Sequence, residues 1–103
     1  MLKKYNPKFN VGSLFICSKC GQAFDEPKLA FAEKLKTDLR NDLKAIDAHT
    51  QVRVMVGGCL GVCQNNEQAF AYYPNQGAVE LMTTSSDEAS SKADIFDFIK
   101  LKV

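Results

Sequence analysis

A chain of 103 residues has room for one domain with one core. Its 46% hydrophobic content and 10% aromatics exclude a disordered chain, and a net charge of +1 suggests no field-driven partner, whereas a nucleic-acid binder normally carries an excess of Lys and Arg. No stretch approaches the ~20 apolar residues of a membrane span. The basic start MLKKYNPKFN leads into neither the apolar core nor the cleavage site of a secretory signal, so a cytoplasmic location is expected.

Residues 1–12 read as an N-terminal arm, with Lys3, Lys4 and Lys8 as solvated charge. The domain then spans 13–103. Ser13 to Cys17 (SLFIC) is apolar and follows Gly12, the pattern of a short buried strand. Ser18 to Glu26 is polar and predicts a loop. Pro27 suits the first turn of a helix, because its missing N–H has no partner to lose there. Leu29, Ala32, Leu35, Leu39, Leu43 and Ile46 follow at spacings of three and four, which predicts one amphipathic helix from Pro27 to Ala48. His49 then falls at the helix end and is expected on the surface.

Val52, Val54 and Val56 alternate with Arg53 and Met55, a period-two strand closed by Gly57-Gly58. Cys59 to Cys63 and the polar run Gln64 to Gln68 predict a loop. Ala69–Tyr73 and Ala78–Met82 predict two strands joined at Pro74-Asn75-Gln76-Gly77, an antiparallel hairpin. Thr83 to Ser91 predicts a loop, with Ser90 or Ser91 capping a final helix that carries Ile95, Phe96, Phe98, Ile99 and Leu101. The order is β-α-β-β-β-α, an α/β domain in which a strand–helix–strand crossover is extended by a hairpin.

All four cysteines fall in two close pairs, Cys17-x2-Cys20 and Cys59-x3-Cys63. In a reducing compartment, cysteines paired so closely are metal ligands or redox groups more often than disulfides. Each pair follows the end of one of the two parallel strands, and those ends share one sheet edge, where ligands gather in open α/β sheets. Four thiolates suit tetrahedral zinc or an iron–sulfur cluster. One histidine is too few for a Rieske centre or for a zinc finger with two cysteine and two histidine ligands. Gly21, Gly57, Gly58 and Gly61 flank the cysteines and would let backbone N–H groups approach a negatively charged cluster. Spacing alone leaves zinc and iron–sulfur open.

The apolar strand ending in cysteine (LFIC), the long amphipathic helix, a strand running into CLGVC, the hairpin segment AYYPNQG and a C-terminal helix resemble the thioredoxin-like [2Fe–2S] ferredoxins. The resemblance covers Leu14 to Leu101, and Cys59-Leu60-Gly61-Val62-Cys63 is its most specific part. The C-x2-C first pair is closer than in the best-known members and resembles instead a metal-binding branch of the group. What the resemblance implies is a four-stranded thioredoxin-like sheet with helices packed on it, and one [2Fe–2S] cluster held by Cys17, Cys20, Cys59 and Cys63. The implied role is an electron carrier that passes single electrons to a redox partner protein and can form a homodimer. The absence of other catalytic motifs, the near-neutral charge and the lack of an apolar span add the expectation of no enzyme activity and no nucleic-acid or membrane partner.

Two other functions use the same residues. A zinc module with four cysteine ligands needs the same four thiolates. Thiol–disulfide exchange would use Cys17 and Cys20, but such a pair sits at a helix N-terminus, and here six residues separate Cys20 from Pro27. Asp25, Glu26 and Glu67 near the ligand loops are candidates for an acidic rim, and Leu60 or Val62 for a docking tip. An outward-facing tyrosine among Tyr72 and Tyr73 would suit a dimer interface.

Overall fold

The computed structural model describes residues 1–5, 8–18, 29–57, 67–85 and 87–103. The elements are β1 (Gly12–Cys17), α1 (Leu29–Ala45), β2 (Val52–Gly57), β3 (Glu67–Pro74), β4 (Glu80–Ser85) and α2 (Glu88–Lys100). Their order agrees with the sequence reading. They make a small α/β domain with one four-stranded mixed sheet in the order β2-β1-β3-β4. β1 and β2 run parallel, with Gly12 opposite Val52 and Cys17 opposite Gly57. β3 returns antiparallel on the other side of β1, and β4 is antiparallel to β3.

Alternation along each strand decides what each sheet face holds. Leu14, Ile16, Val52, Val54, Phe70 and Tyr72 share one face and are buried. Onto them pack Ala32, Leu35, Leu39 and Leu43 of α1 and Ile95 and Ile99 of α2, so both helices cover the same face around one core. Phe98 meets Phe70 and Tyr72 edge-on, with ring centroids 5.9 and 5.5 Å apart. Phe15, Met55, Ala71 and Leu81 occupy the opposite face.

Several boundaries differ from expectation, each for a local reason. α1 stops at Ala45 rather than Ala48, because Asp47 takes a left-handed conformation (φ 56°). The Ala48 N–H then bonds the Leu43 carbonyl at 2.8 Å and the Asp47 N–H bonds that of Lys44 at 3.1 Å. This is a Schellman cap, in which Ala48 folds back onto the core beside Leu43. Ile46, expected on the apolar face, lies past the last helical turn and is 46% exposed. The Pro27 start lies outside the described residues.

β3 starts at Glu67, two residues before the predicted strand, and β4 covers Glu80–Ser85 rather than Ala78–Met82. Gly77 supplies a positive φ of 115° in the connection 75–79, and pairing resumes only at Tyr72 opposite Glu80. Thr83, Thr84 and Ser85 pair with Ala69, Gln68 and Glu67. Their polarity predicts a loop, yet β-branched Thr fits a half-exposed edge strand. Asp87, not Ser90 or Ser91, caps α2: its Oδ2 accepts the Ser90 N–H at 2.9 Å. Ser91 lies inside the helix, where its hydroxyl donates to the Asp87 carbonyl at 2.7 Å. Leu101 is the C-cap and is 83% exposed, so it adds nothing to the apolar face.

The chain before β1 is anchored from Phe9 onward. The Asn10 and Val11 N–H groups bond the Thr50 and Gln51 carbonyls, and the Asn75 amide donates to the Phe9 carbonyl at 2.7 Å. Gly12 permits the close approach of β3: a Cβ there would stand 2.7 Å from the Tyr73 carbonyl oxygen.

Candidate metal centre

Cys17 closes β1 and is fully buried. It alternates away from Leu14 and Ile16, and is not part of the core cluster under the helices. Its sheet neighbour is Gly57, the last residue of β2. One residue on, the Ser18 N–H and hydroxyl both donate to the Gly57 carbonyl, at 3.0 and 2.7 Å. The ends of β1 and β2 are thus tied together at one edge. β3 begins at that same edge, because its antiparallel register sets Phe70 opposite Ile16. The segment with Cys20 therefore leaves from beside Cys17, and the one with Cys59 and Cys63 leaves from Gly57 and re-enters at Glu67.

Cys20, Cys59 and Cys63 lie outside the described residues, as do Gly21, Gly58, Gly61, Asp25, Glu26, Leu60 and Val62. Among the described residues no group of three metal-ligating side chains converges. What the structure fixes is the position of one candidate ligand and of the three strand ends around it.

Sequence reasoning missed Gln68. The polar run before AFAYY predicts a loop, but Gln68 is 1% exposed inside β3. The β1–β3 register ends at Ile16 opposite Phe70. Beyond it, the Gln68 side-chain amide donates to the carbonyls of Cys17 at 2.8 Å and Ala69 at 2.9 Å. A side chain thus satisfies buried acceptors where ladder pairing stops, and holds the backbone of Cys17 in place. The signal available in the sequence is one amide at the end of the polar run Gln64-Asn65-Asn66-Glu67-Gln68, which does not mark it as a buried clamp.

The remaining candidates fall where the strands put them. Glu67, a candidate for the acidic rim, opens β3 half-buried and accepts a bond from the Thr83 hydroxyl at 2.9 Å, so it is engaged in the hairpin. Gly57 has room for a Cβ, whose nearest described atoms would be the Phe15 side chain from 3.5 Å. Close approach of described chain is therefore not what glycine serves there. His49 is exposed just past α1, as expected. Tyr72 is buried among the helix side chains, and burial pushes its phenol up despite the nearby Lys102 cation. Tyr73 is the outward tyrosine, 43% exposed, with its ring edge-on to Phe15 at 5.3 Å. No helix of the described residues is long and apolar enough to cross a membrane.

Comparison of the chain with protein-family models, with characterised proteins and with solved structures finds no match. The functional reading rests on the chain's own residues.

Proposed function

We propose that this protein is a small electron carrier with a thioredoxin-like fold, holding one [2Fe–2S] cluster through Cys17, Cys20, Cys59 and Cys63. The observation that carries the reading is the meeting of three strand ends at one edge: Cys17 beside Gly57, with Glu67 opening β3 alongside. Two segments holding all the other cysteines begin or end there. The strand order β2-β1-β3-β4, with β1 parallel to β2 and the others antiparallel, is the arrangement a thioredoxin-like sheet requires, which supports the fold assignment.

The donor set fits the group. The sequence offers four cysteines, and its one histidine lies past α1, which suits all-cysteine ligation; the buried Cys17 supports the dry surroundings on which cluster potential depends. When bound, the cluster supplies a one-electron couple: one electron is taken from a donor and one passed to a partner protein. The chain's own part is positional. Gln68 holds the Cys17 carbonyl and Ser18 ties the next residue to Gly57, so both ligand-bearing segments start from one edge. Zinc on the same four thiolates is the rival reading, and it involves no electron transfer.

Anaerobic purification followed by a visible spectrum and iron, sulfide and zinc analysis separates the two. The expected result is a brown protein with about two irons and two sulfides per chain, the composition of a [2Fe–2S] centre. Colourless protein with one zinc would sink the proposal. Cys59→Ser and Cys63→Ser should each remove most of the chromophore, and a normal cluster in both would refute the ligand assignment.

A further inference from the structure

At the other end of the sheet from Cys17 lies a cleft of about 850 Å³. Its walls come from the start of β1 (Ser13), the start of β2 (Val52–Val54), the C-terminal half of α1, the turn after β3 (Asn75) and the arm (Lys8 and the anchored Phe9). Ser13 and Cys17 are four residues apart along β1, about 13 Å at strand rise. The cleft is therefore separate from the candidate metal centre, and its reading does not depend on that one.

The charge of the cleft is one-sided. Among the described residues, Lys8, Arg40, Lys44, Arg53 and His49 line it, and no carboxylate does. The whole chain is nearly neutral, with 13 basic and 12 acidic residues, so this is a local concentration. α1 divides the charges: Asp38 and Asp42 face a second, acidic groove against α2, whereas Arg40, Asn41 and Lys44 face the basic cleft. On the two helices outside the cleft and after α2, lysines are paired with carboxylates, as in Lys34–Glu88, Lys36–Glu33 and Lys102–Glu80. Among the described residues, none of the cleft's five basic side chains enters an ion pair.

One cation is already fixed. The Arg40 Nε donates to the Val54 carbonyl at 2.9 Å and its Nη2 contacts the Met55 sulfur at 3.3 Å. That leaves guanidinium donors held in place in a fork suited to phosphoryl or carboxylate oxygens. The same contact decides between two kinds of anion. β2 is an edge strand, and an acidic peptide adding to it would need its outward carbonyls. Arg40 occupies the one at Val54. The cleft volume falls within the usual range for small-ligand sites, and Phe9 gives it an apolar wall beside the cations.

We propose that this cleft binds a small organic phosphate carrying at least two phosphoryl groups, a nucleoside diphosphate being the simplest ligand of that chemistry. Arg40, Arg53 and Lys44 hold the phosphoryl oxygens, and Phe9 contacts the organic part.

Isothermal titration of the full chain with ADP, and separately with inorganic pyrophosphate, at low ionic strength tests this. One saturable site per chain is expected for both, tighter for ADP because pyrophosphate offers nothing to Phe9. Arg53→Gln and Lys44→Gln should each weaken binding at least tenfold. Lys34→Gln, outside the cleft, should leave it unchanged. Arg40→Gln serves as a third variant, read only if its thermal melt matches the parent. No saturable binding at millimolar ADP, or equal weakening by Lys34→Gln, would overturn the proposal. So would a short RNA binding more tightly than ADP through the same residues, which would make the surface a nucleic-acid site.

Discussion

Gln68 is a polar residue buried almost completely, and its amide satisfies two backbone carbonyls next to the first candidate ligand. Removing a donor from a buried acceptor costs the desolvation of that acceptor, not merely one hydrogen bond. Gln68→Leu is therefore expected to destabilise the protein by about 1–3 kcal/mol. Gln68→Glu should cost more, because a carboxylate would face two carbonyl oxygens with nothing to donate. Urea unfolding of the three proteins measures both, and unchanged midpoints would mean that the clamp contributes nothing. The sequence could not reveal this residue, because burial of an amide depends on which strand passes alongside it. The cysteines are different: their identity and close spacing are visible without any structure, and only the position of Cys17 needed one.

The termini of the helices show how short-range chemistry overrules apolar periodicity. α1 ends three residues before the predicted boundary, ahead of a left-handed Asp47 with two capping bonds around it. At the start of α2, the Ser90 backbone N–H holds the Asp87 carboxyl below its ordinary 3.8, helped by the Ser90 side chain. A carboxyl lowered in the folded state adds stability above its unfolded value. That contribution is lost as pH falls through the lowered folded one. Asp87→Ala is thus expected to lower the melting temperature at pH 7, and the difference from the parent should shrink as pH drops below 3.8. Thermal melts from pH 7 to pH 2 check the sign, and a difference constant over that range would contradict it. The sequence does not single out this cap, because Ser85, Asp87, Ser90 and Ser91 are all acceptable capping residues. Only the extent of β4 decides where the helix can begin.

The described residues share one core between one sheet face and both helices, and Leu39 belongs to it, fully buried. Leu39→Ala should cost about 2–5 kcal/mol, from lost transfer energy and the cavity left behind. Because β1, β2, β3, α1 and α2 all contribute to that core, the loss should appear as one cooperative transition at lower denaturant. Far-ultraviolet circular dichroism and tyrosine fluorescence should report the same midpoint. Separate midpoints would show that the helices and sheet unfold independently. The same architecture sets the two ends of the sheet apart, a cysteine-bearing edge at one and a basic cleft at the other.

The sequence by itself determined the element order and the two cysteine pairs. It also determined most of the core, because periods of two and about 3.6 are local properties of the chain. The tertiary structure alone decided that Gly57 lies beside Cys17 and that Gln68 reaches the Cys17 carbonyl. It also brought Lys8, Arg40, Lys44 and Arg53 around one cleft. Each of these joins residues far apart in sequence, and strand register, not local preference, sets which of them meet.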